Sequence, residues 1–514
     1  MNLVRPRPIW RAQQRERVED RRWPGWEVVI GIEVHAQIKS RKKLFSAHTN
    51  EAPNTAVSCF DAALPGTLPS LNPKCVELAV RTALALNAHV QRRSAFDRKH
   101  YFYPDLPSGY QITQRYAPLA RGGYLKLSRG DVTVRITQLQ LEQDTAKSTF
   151  HADRRVSLVD LNRAGSGLME IISEPDMRSP EEAGDYVRTL QTLLRAVGSS
   201  DGSMELGSLR CDINVSVNRH GQPPGTRCEI KNLNSIKFTM TAITSEVFRH
   251  IELLESGRTV PQETRGFDED KAETFKLRSK EDSPDYRYMP DPNPPTAASL
   301  SGECHESEYI ERVRSSMPEL PSETRVRLLS MGLSERDADV LMTVDAGREV
   351  GFDGEIGKGA VAYFTDLVCG RDPKIVDDSR SPRPGWPARK ETFSDNPVSV
   401  KHMGELIDMV QSGKVTGTSG KTLLRHMISH RSLDSPSKLA KELGLIALSR
   451  DDSSLVKEWC LEAIEELPQQ AEAVKKGNLP VLNKLVGKVM KLGKGRANAE
   501  IVRTLLLALL RQER

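Results

Sequence analysis

The chain has 514 residues, of which 38% are hydrophobic and 28% are charged, and its formal net charge is +5. This length predicts two or three domains, and the composition is that of a folded globular protein. The apolar runs are shorter than the roughly 20 residues of a membrane-spanning helix, so no membrane insertion is expected. Seven scattered cysteines without a CxxC pair predict a reducing compartment, with neither a disulfide framework nor a structural zinc site.

The first 22 residues contain seven arginines and no lysine, and they lack the apolar core of a secretory signal. Such a segment is typical of a mitochondrial transit peptide, although Glu16, Glu19 and Asp20 are unusual in one. A disordered basic extension is the alternative interpretation. Residues 1–25 are therefore predicted to be an N-terminal extension.

Residues 26–300 alternate between strand patterns and helix patterns, which predicts a mixed domain with a largely antiparallel sheet. Two helices are clear, because Pro73 and Pro180 each open a segment in which apolar residues recur at the helical period. The fold class predicted for the whole chain is α+β, with the sheet domain followed by helical domains.

The remainder of the chain is predicted to be helical. Residues 301–376 form a helical domain in which Ser334 gives a capping signal. Residues 377–396 have the proline, glycine and charge content of a linker. Residues 397–514 form an all-helical tail that begins with a helix capped by Ser399.

The first strand pattern, residues 28–37, carries polar side chains on one face only. The period of two puts Glu33, His35 and Gln37 opposite an apolar face. A carboxylate and an imidazole two residues apart can bind one metal ion, but ordinary half-exposed strands show the same pattern. The residues alone leave both interpretations open.

Residues 210–217 and 225–232 surround a turn that contains glycine and proline, which predicts a hairpin. Pairing Val217 with Thr226 puts polar side chains on one face and apolar side chains on the other. The predicted polar face carries Asp212 opposite Lys231, Asn214 opposite Glu229, and Ser216 opposite Arg227. A solvated surface of cross-strand ion pairs is the alternative to a binding site, and Asn232 extends the polar set.

Mg²⁺ prefers oxygen ligands and retains waters and substrate phosphates, so two or three carboxylates from separate strands suffice to hold it. Further acidic candidates are Glu142 or Asp144, and Glu170 or Glu174. The sequence has no GxxxxGK[ST] loop and no GxGxxG motif. A bound nucleotide would therefore be held by cations, metal ions and sheet residues.

A basic run near the C-terminus has no acidic residue between Glu472 and Glu500. Its cations recur at helical spacing opposite an apolar face, whereas a solvated helix face normally mixes both signs. The run predicts phosphate contact, with an ordinary solvated helix as the alternative. The predicted nucleic-acid-binding residues are Lys475, Lys476, Lys484, Lys488, Lys491, Lys494 and Arg496.

From about Glu27 to the C-terminus the chain resembles the B subunits of bacterial and organellar glutamyl-tRNA(Gln) amidotransferases. The resemblance rests on seven segments, which are Gly-Ile-Glu-Val-His (31–35), Lys-His-Tyr-Phe-Tyr-Pro-Asp-Leu-Pro-Ser-Gly-Tyr-Gln-Ile (99–112), Leu-Asn-Arg-Ala-Gly (161–165), Ser-Glu-Pro-Asp (173–176), Arg-Cys-Asp-Ile-Asn-Val-Ser (210–216), Glu-Ile-Lys-Asn-Leu-Asn-Ser (229–235) and Asp-Tyr-Arg-Tyr-Met-Pro (285–290). It implies a glutamine-synthetase-like cradle domain, a helical domain and a tail that binds tRNA.

The resemblance also implies an activity. The cradle would use ATP and Mg²⁺ to phosphorylate the glutamate carried on tRNA(Gln), and ammonia would displace the phosphate to form Gln-tRNA(Gln). The implied partners are Glu-charged tRNA(Gln), an amidase A subunit that releases ammonia from glutamine, and a small third subunit of the C type or the fungal type. The implied location is the mitochondrial matrix, or the cytoplasm for a bacterial-type protein.

Site residues carried over by the resemblance fall into three groups. The metal ligands would be Glu33, His35, Glu142, Glu170, Asp212 and Glu229. The catalytic residues would be Glu142, Glu170, Asp212, Glu229 and Lys231, with Lys231 offsetting charge on the transferred phosphoryl group. The cofactor-binding residues would be Asn214 and Asn232.

The chain departs from the family pattern at three places. The zinc-binding CPxC motif that many members carry is replaced by residues 58–61, Ser-Cys-Phe-Asp, so no structural zinc is expected there. The common Glu-Glu-Asp is Glu142-Gln143-Asp144, which leaves open which acid acts. Ser283-Pro284 stands where Ala-His is usual.

Two other functions fit parts of the sequence. A non-catalytic component that only grips tRNA and its partners would explain the basic tail but not the polar hairpin face. A free-standing ligase for a small amino acid would leave the basic tail without a purpose.

Overall fold

The computed structural model describes residues 20–47, 54–128, 131–279, 285–293, 306–371, 396–448, 453–493 and 495–512. Most of the predicted N-terminal extension and linker, and Lys494, lie outside these residues. The chain divides into two compact units, one of Met1–Leu320 with Val350–Glu355 and one of Pro321–Glu349 with Ile356–Arg514. Among the described residues, no helix has both the length and the apolar character that crossing a membrane requires.

The first unit combines strands and helices. Its strands are β1 (Trp26–Gln37), β2 (His89–Val90), β3 (Asp97–His100), β4 (Tyr110–Thr113), β5 (Ala120–Arg121), β6 (Tyr124–Lys126), β7 (Thr133–Gln143), β8 (Lys147–His151), β9 (Val156–Asp160), β10 (Gly167–Ser173), β11 (Leu209–Arg219), β12 (Cys228–Leu233), β13 (Glu263–Asp268), β14 (Glu273–Ser279) and β15 (Met289–Pro290). Its helices are α1 (Pro73–Ala85), α2 (Pro180–Ala196), α3 (Ile236–Glu255) and α4 (Glu306–Ser315).

The main sheet has the strand order β14-β13-β12-β11-β1-β10-β7-β5-β2, and β6 also pairs with β7. Within the described residues every pairing in it is antiparallel except that of β12 with β13. Strands β15, β3 and β4 form a small second sheet, and β8 and β9 form a separate hairpin. The predicted mixed domain with a largely antiparallel sheet is confirmed.

The two helices predicted from proline signals are also confirmed. Helix α1 begins at Pro73 after Asn72, whose side chain accepts a hydrogen bond from the backbone of Lys74 at 3.0 Å. Helix α2 begins at Pro180 after Ser179, whose hydroxyl accepts from the backbone of Glu182 at 3.1 Å. These caps satisfy amide groups that have no partner inside the helix.

The apolar face of the main sheet and the helices α1 to α3 share one core. Val28, Ile30, Ile32 and Val34 of β1 are at most 2% exposed and lie in this core. Alternation along each strand therefore turns the polar residues of β1, β7, β10 and β11 to the opposite face, where the candidate site lies.

The predicted hairpin register is present around Asn214 and is interrupted next to Asp212. Asn214 lies opposite Glu229 as predicted, and the side chains of Asp212 and Lys231 are in contact at 2.7 Å as predicted. The register shifts between Cys211 and Ile213, and Asn232 adopts a left-handed backbone with φ of 60°. This bulge inserts one extra residue into β12, a feature that alternation alone does not reveal.

The loop of this hairpin also differs from the prediction. Strand β12 begins at Cys228, so Val217 does not pair with Thr226 in the ladder. A Cβ added at Gly225 would lie 2.2 Å from the carbonyl oxygen of Val217. Glycine is therefore required where the returning chain passes this close to β11.

The second unit is helical in the described residues. Its helices are α5 (Pro321–Ser330), α6 (Glu335–Asp345), α7 (Ala360–Val368), α8 (Val400–Gln411), α9 (Gly417–His430), α10 (Pro436–Glu442), α11 (Ser453–Glu466), α12 (Pro468–Lys475), α13 (Leu482–Leu492) and α14 (Ala499–Gln512), with a 3₁₀ turn at Leu479–Val481. The predicted helical C-terminal region is confirmed.

This unit contains two cores. One joins side chains of α5 to α7 with side chains of α8 to α10, and the other is formed by α11 to α14. The predicted caps are present, since the hydroxyls of Ser334 and Ser399 accept from the backbones of Asp337 and His402, each at 3.2 Å.

Candidate active site

Strand β1 lies at the centre of the polar face, and its neighbours bring acidic residues to both sides of it. Glu33 is directly opposite Asp212 of β11, and His35 is directly opposite Glu170 of β10. The antiparallel register therefore brings four predicted site residues from three different strands into adjacent positions.

These side chains also converge in space. One ligand atom from each of Glu33, His35 and Glu170 lies within 4.8 Å of the other two. His35 Nε2 is 3.5 Å from a Glu33 carboxylate oxygen and 3.9 Å from Asp212 Oδ2. Carboxylate oxygens with one imidazole nitrogen are a suitable ligand set for a divalent cation.

The electrostatics of this group show an excess of acid. Burial raises the pKa of Glu170 well above its usual value, and the nearby carboxylates of Glu142 and Glu33 raise it further. Burial alone would also raise the pKa of Glu33, but hydrogen bonds with His35 and Glu170 hold it below its usual value. The same surroundings raise the pKa of His35 against the effect of its burial. A group with this charge balance attracts cations.

Glu142 of β7 borders the cluster and is held by residues of the small second sheet. Gln111 donates from Nε2 to Glu142 Oε1 at 2.8 Å, and Lys99 Nζ lies 4.0 Å from the other carboxylate oxygen. Burial would lower the pKa of Lys99, but the charges of Glu142 and Glu170 raise it. Lys99 is therefore a cation positioned at the rim of an acidic site.

The other side of the cluster is formed by the bulged strand β12. Lys231 Nζ is 2.7 Å from Asp212 Oδ2 and 3.1 Å from Glu229 Oε1. Thr264 of β13 donates to the second oxygen of Glu229 at 3.2 Å. Burial would lower the pKa of Lys231, but these two carboxylates raise it. The lysine thus stays charged between the two acids.

The two asparagines occupy different places. Asn214 is half-buried on the polar face beside Glu229. The side chain of Asn232 is exposed, and its backbone amide donates to Asp212 Oδ1 at 3.0 Å. The bulge thus uses the main chain of Asn232 to orient the carboxylate of Asp212.

The neighbouring acids of the two open choices lie in different surroundings. Asp144 accepts a hydrogen bond from Arg210 at 3.0 Å and lies 3.8 Å from Arg163. Glu174 accepts from the hydroxyl of Thr137 at 2.9 Å. Glu142 and Glu170, by contrast, lie within the acidic cluster.

Several residues at the site were not among the predicted site residues. Gln140 donates to Glu170 Oε2 at 2.5 Å, and Lys99, Gln111 and Thr264 contact predicted acids as described above. Gln140 follows from the alternation of β7, which also points Glu142 to this face. Lys99 and Gln111 lie in residues 99–112, one of the segments that carry the family resemblance. Only the pairing of β3 with β4 shows that they face the acids.

A second buried group also has metal-binding chemistry. Ligand atoms of Cys228, Glu246 and His250 lie within 4.8 Å of one another. The Glu246 carboxylate already accepts from Arg249 and from His250, and Arg265 Nε lies 3.1 Å from it. Positive charge is thus supplied here by guanidinium groups, which a divalent cation would have to displace.

The predicted basic surface lies on α12, α13 and the turn that follows α13. Lys484 and Lys491 are exposed on α13, and its apolar side is buried as expected. Lys488, however, pairs with Glu466 of α11, and Lys476 lies 3.6 Å from Glu472. The run carries only positive charges in the sequence. On the folded surface it does not, because a neighbouring helix supplies an acidic residue.

The comparisons with known proteins agree over nearly the whole chain. Residues 28–301 match the family described as the GatB/GatE catalytic domain, and residues 387–510 match the family described as the GatB domain. The chain is 56% identical to the B subunit of the mitochondrial glutamyl-tRNA(Gln) amidotransferase of Laccaria bicolor, across 95% of this chain and 93% of that protein.

Two further relatives are similar at lower identity. The B subunit of the mitochondrial glutamyl-tRNA(Gln) amidotransferase of Mycosarcoma maydis is 44% identical across 94% of this chain and 86% of its own length. The B subunit of the aspartyl/glutamyl-tRNA(Asn/Gln) amidotransferase of Anaplasma marginale is 43% identical across 94% and 96%. The names of the fungal relatives confirm the predicted mitochondrial location. The chain therefore belongs to the family of glutamyl-tRNA(Gln) amidotransferase B subunits.

Proposed function

We propose that this chain carries the site at which ATP phosphorylates the side-chain carboxylate of glutamate esterified to tRNA(Gln). Ammonia then displaces the phosphate and leaves Gln-tRNA(Gln). The single observation that carries this proposal is the acidic cluster on the polar face of the sheet, with Lys99 and Lys231 at its two edges. Such an open polar face on a largely antiparallel sheet also supports a glutamine-synthetase-like cradle.

The donor set at the centre of the face fits Mg²⁺. Glu33 and Glu170 offer oxygen ligands and His35 offers a nitrogen, while Asp212 and Glu229 lie on the next two strands. Burial, together with the nearby carboxylates of Glu142 and Glu33, raises the pKa of Glu170, and a bound cation would favour its charged form. When bound, Mg²⁺ neutralises phosphate charge and orients the transferred group.

The chain's own residues supply positioning and charge. Lys231, fixed between Asp212 and Glu229, can place its ammonium group against the oxygens of a transferred phosphoryl group. The backbone amide of Asn232 and the hydroxyl of Thr264 keep those two carboxylates in fixed orientations. Preorganised groups of this kind accelerate phosphoryl transfer, which depends mainly on geometry and electrostatics.

The amide-forming step needs a proton acceptor, because ammonia must lose a proton when the carbon–nitrogen bond forms. Glu142 is suited to this step, since Gln111 holds one carboxylate oxygen and the other faces Lys99. We assign Glu142 the role of acceptor and Lys99 that of offsetting the charge of the departing phosphate.

Glutamine hydrolysis is assigned to an amidase A subunit, with a small third subunit of the C type or the fungal type completing the complex. Exposed Lys484 and Lys491 support a tail that contacts tRNA phosphates. A scaffold role without chemistry is not favoured, because the family matched by residues 28–301 is described as a catalytic domain.

The experiment that tests this proposal is conversion of Glu-tRNA(Gln) to Gln-tRNA(Gln) by the reconstituted complex with ATP, Mg²⁺ and glutamine. Wild type is compared with Asp212→Ala, and Glu174→Gln is the matched control. We expect Asp212→Ala to bind tRNA while conversion falls by about 100-fold or more, and the control to keep activity. Equal conversion by wild type and Asp212→Ala would make the polar face a structural surface.

A further inference from the structure

Three aromatic side chains stand out from the first unit at the edge of the candidate site. Phe102 is 88% exposed, Tyr116 is 62% exposed and Tyr103 is 58% exposed. Aromatic side chains of this size are costly to leave in water, so a group of them indicates a binding surface.

Tyr103 and Tyr116 belong to a continuous set of rings, and Phe102 is next to Tyr101 and Tyr103 in the chain. Edge contacts link Tyr103 to Tyr101 at 5.7 Å between centroids, Tyr101 to Tyr286 at 6.0 Å, and Tyr286 to Tyr288 at 6.0 Å. Tyr116 joins the set through Tyr288 at 6.5 Å. We call Tyr101, Phe102, Tyr103, Tyr116, Tyr286 and Tyr288 the aromatic rim.

Cations alternate with these rings. Lys99 Nζ lies 5.2 Å from the centroid of Tyr286, and the guanidinium of Arg115 lies 5.6 Å from that of Tyr288. Aromatic side chains interleaved with cations are typical of surfaces that bind single-stranded nucleic acid, because bases stack on the rings while cations meet the phosphates.

The rim is held in a fixed conformation. The loop that follows β3 is closed by hydrogen bonds from the backbone of Tyr101 to Gly109 at 3.1 Å and from Leu106 to Tyr103 at 3.0 Å. Leu106 is buried beneath it. Gly109 has φ of +71°, and a Cβ there would meet the Phe102 ring at 3.0 Å. Phe102 and Tyr103 therefore project from a loop that is closed by its own hydrogen bonds, which lowers the entropy lost on binding.

A chain of hydrogen bonds joins the rim to the site. The Tyr101 hydroxyl donates to Gln111 Oε1 at 3.1 Å, and Gln111 in turn donates to Glu142 at 2.8 Å. The rim and the acidic cluster are thus neighbours that are joined through Gln111.

We propose that Phe102, Tyr103 and Tyr116 stack against the unpaired nucleotides at the 3′ end of the charged tRNA. This inference rests on the proposed function and names a contact within it. An amino acid esterified to the terminal ribose reaches the acidic cluster only if the last nucleotides lie beside that cluster. Unpaired bases in that position meet the exposed rings, and stacking accepts any base sequence.

The test is a binding cycle with the complete amidotransferase complex, comparing tRNA(Gln) with the same tRNA lacking its 3′-terminal adenosine. The variants are Phe102→Ala, Tyr103→Ala and Tyr116→Ala, singly and combined. Phe150→Ala on β8 is the control, since that ring is 65% exposed and does not contact the rim in the described contacts. Exposed positions keep the risk of unfolding low.

In wild type and in Phe150→Ala we expect removal of the terminal adenosine to weaken binding by about tenfold. In the combined variant that difference should nearly vanish, and the KM for Glu-tRNA(Gln) should rise while the KM for ATP is unchanged. An equal loss in wild type and the combined variant overturns the inference. A rise in the KM for ATP alone would assign the rim to the adenine of ATP, and loss of the amidase from the complex would assign it to a protein partner. If the proposed function itself were wrong, wild type would bind tRNA without converting it, and this result differs from every outcome above.

Discussion

The first unit contains two buried carboxylate clusters with opposite charge balance. Around Glu170, several acids share one histidine, and the pKa of Glu170 is raised by burial and by its acidic neighbours. Around Glu246, burial also acts to raise the pKa, but His250 and Arg249 hold it below its usual value. Burial is common to both clusters, so the sign of the surrounding charge decides the state of the carboxylate.

This difference separates a site from a structural element. The Glu246 cluster holds its own cations, so its charges stabilise the packing of α3 against the sheet. Lys99 and Lys231 lie at the two edges of the Glu170 cluster, against Glu142 and Asp212, so the centre of the cluster is suited to an external cation. In both groups the ligand atoms are close enough together to bind a metal ion, but the charges that surround them differ.

The largest expected effect is that of Glu170→Gln on activity. This substitution removes one negatively charged oxygen ligand from the acidic cluster. Conversion of Glu-tRNA(Gln) should therefore fall by about 100- to 1000-fold. Steady-state assays of the reconstituted complex measure this loss. Glu174→Gln, four residues along the chain, should retain activity within about threefold. The reverse result would give Glu174 the role assigned to Glu170.

The second expected effect is that of Glu246→Gln on stability. Neutralising this acid leaves the partly buried Arg249 without its carboxylate partner and takes one of two carboxylate partners from the buried Arg265. The free energy of unfolding should fall by about 3 to 5 kcal/mol. Denaturant unfolding of the first unit measures this change. In the same assay Glu170→Gln should change the free energy of unfolding little or not at all, because it removes a carboxylate that the neighbouring acids repel. If both variants lose equally, the contrast between the clusters is wrong.

A smaller effect is expected from pH. The charged form of Glu246 is the stabilising one, and its folded-state pKa lies below the usual 4.5. Its contribution is therefore fully present above about pH 4.5 and is lost as the pH falls toward the folded-state value. The stability difference between wild type and Glu246→Gln should shrink in that acidic range. Unfolding curves measured from pH 7 down to pH 3 test this, and a difference independent of pH would contradict it.

The strands of the site could be predicted because alternation is a local property. Glu33 and His35 were assigned to one face of β1 from residues 28–37 alone. The bulge at Asn232 could not be predicted in this way, since it depends on a backbone conformation that the side-chain pattern does not encode. Contacts of Lys99 and Thr264 with the site acids depend on strands distant in sequence.

Charge along the tail shows the same limit. The sequence predicts the apolar side of α13, but not that Glu466 of another helix neutralises Lys488. A linear count of charges omits acids that folding brings near.

The smallest expected effect concerns this tail. Lys484→Ala and Lys491→Ala together should weaken tRNA binding severalfold and reduce the salt dependence of log K by about one unit per lost phosphate contact. Lys488→Ala should change both quantities less, because Glu466 already pairs with that lysine. Binding measured between 50 and 200 mM salt, a range in which phosphate contacts are strongly screened, tests this. Equal effects of all three lysines would show that the ion pair gives way when tRNA binds.

The most direct test of the central claim is transfer of the γ-phosphate of labelled ATP to Glu-tRNA(Gln) without glutamine or ammonia, comparing wild type with Glu33→Gln. The account predicts a labelled acyl phosphate on the tRNA in wild type. It predicts almost none in Glu33→Gln, which should remain folded, assembled with its partners and bound to tRNA. Equal labelling in both would contradict the account, because phosphoryl transfer would then occur away from the acidic cluster on β1.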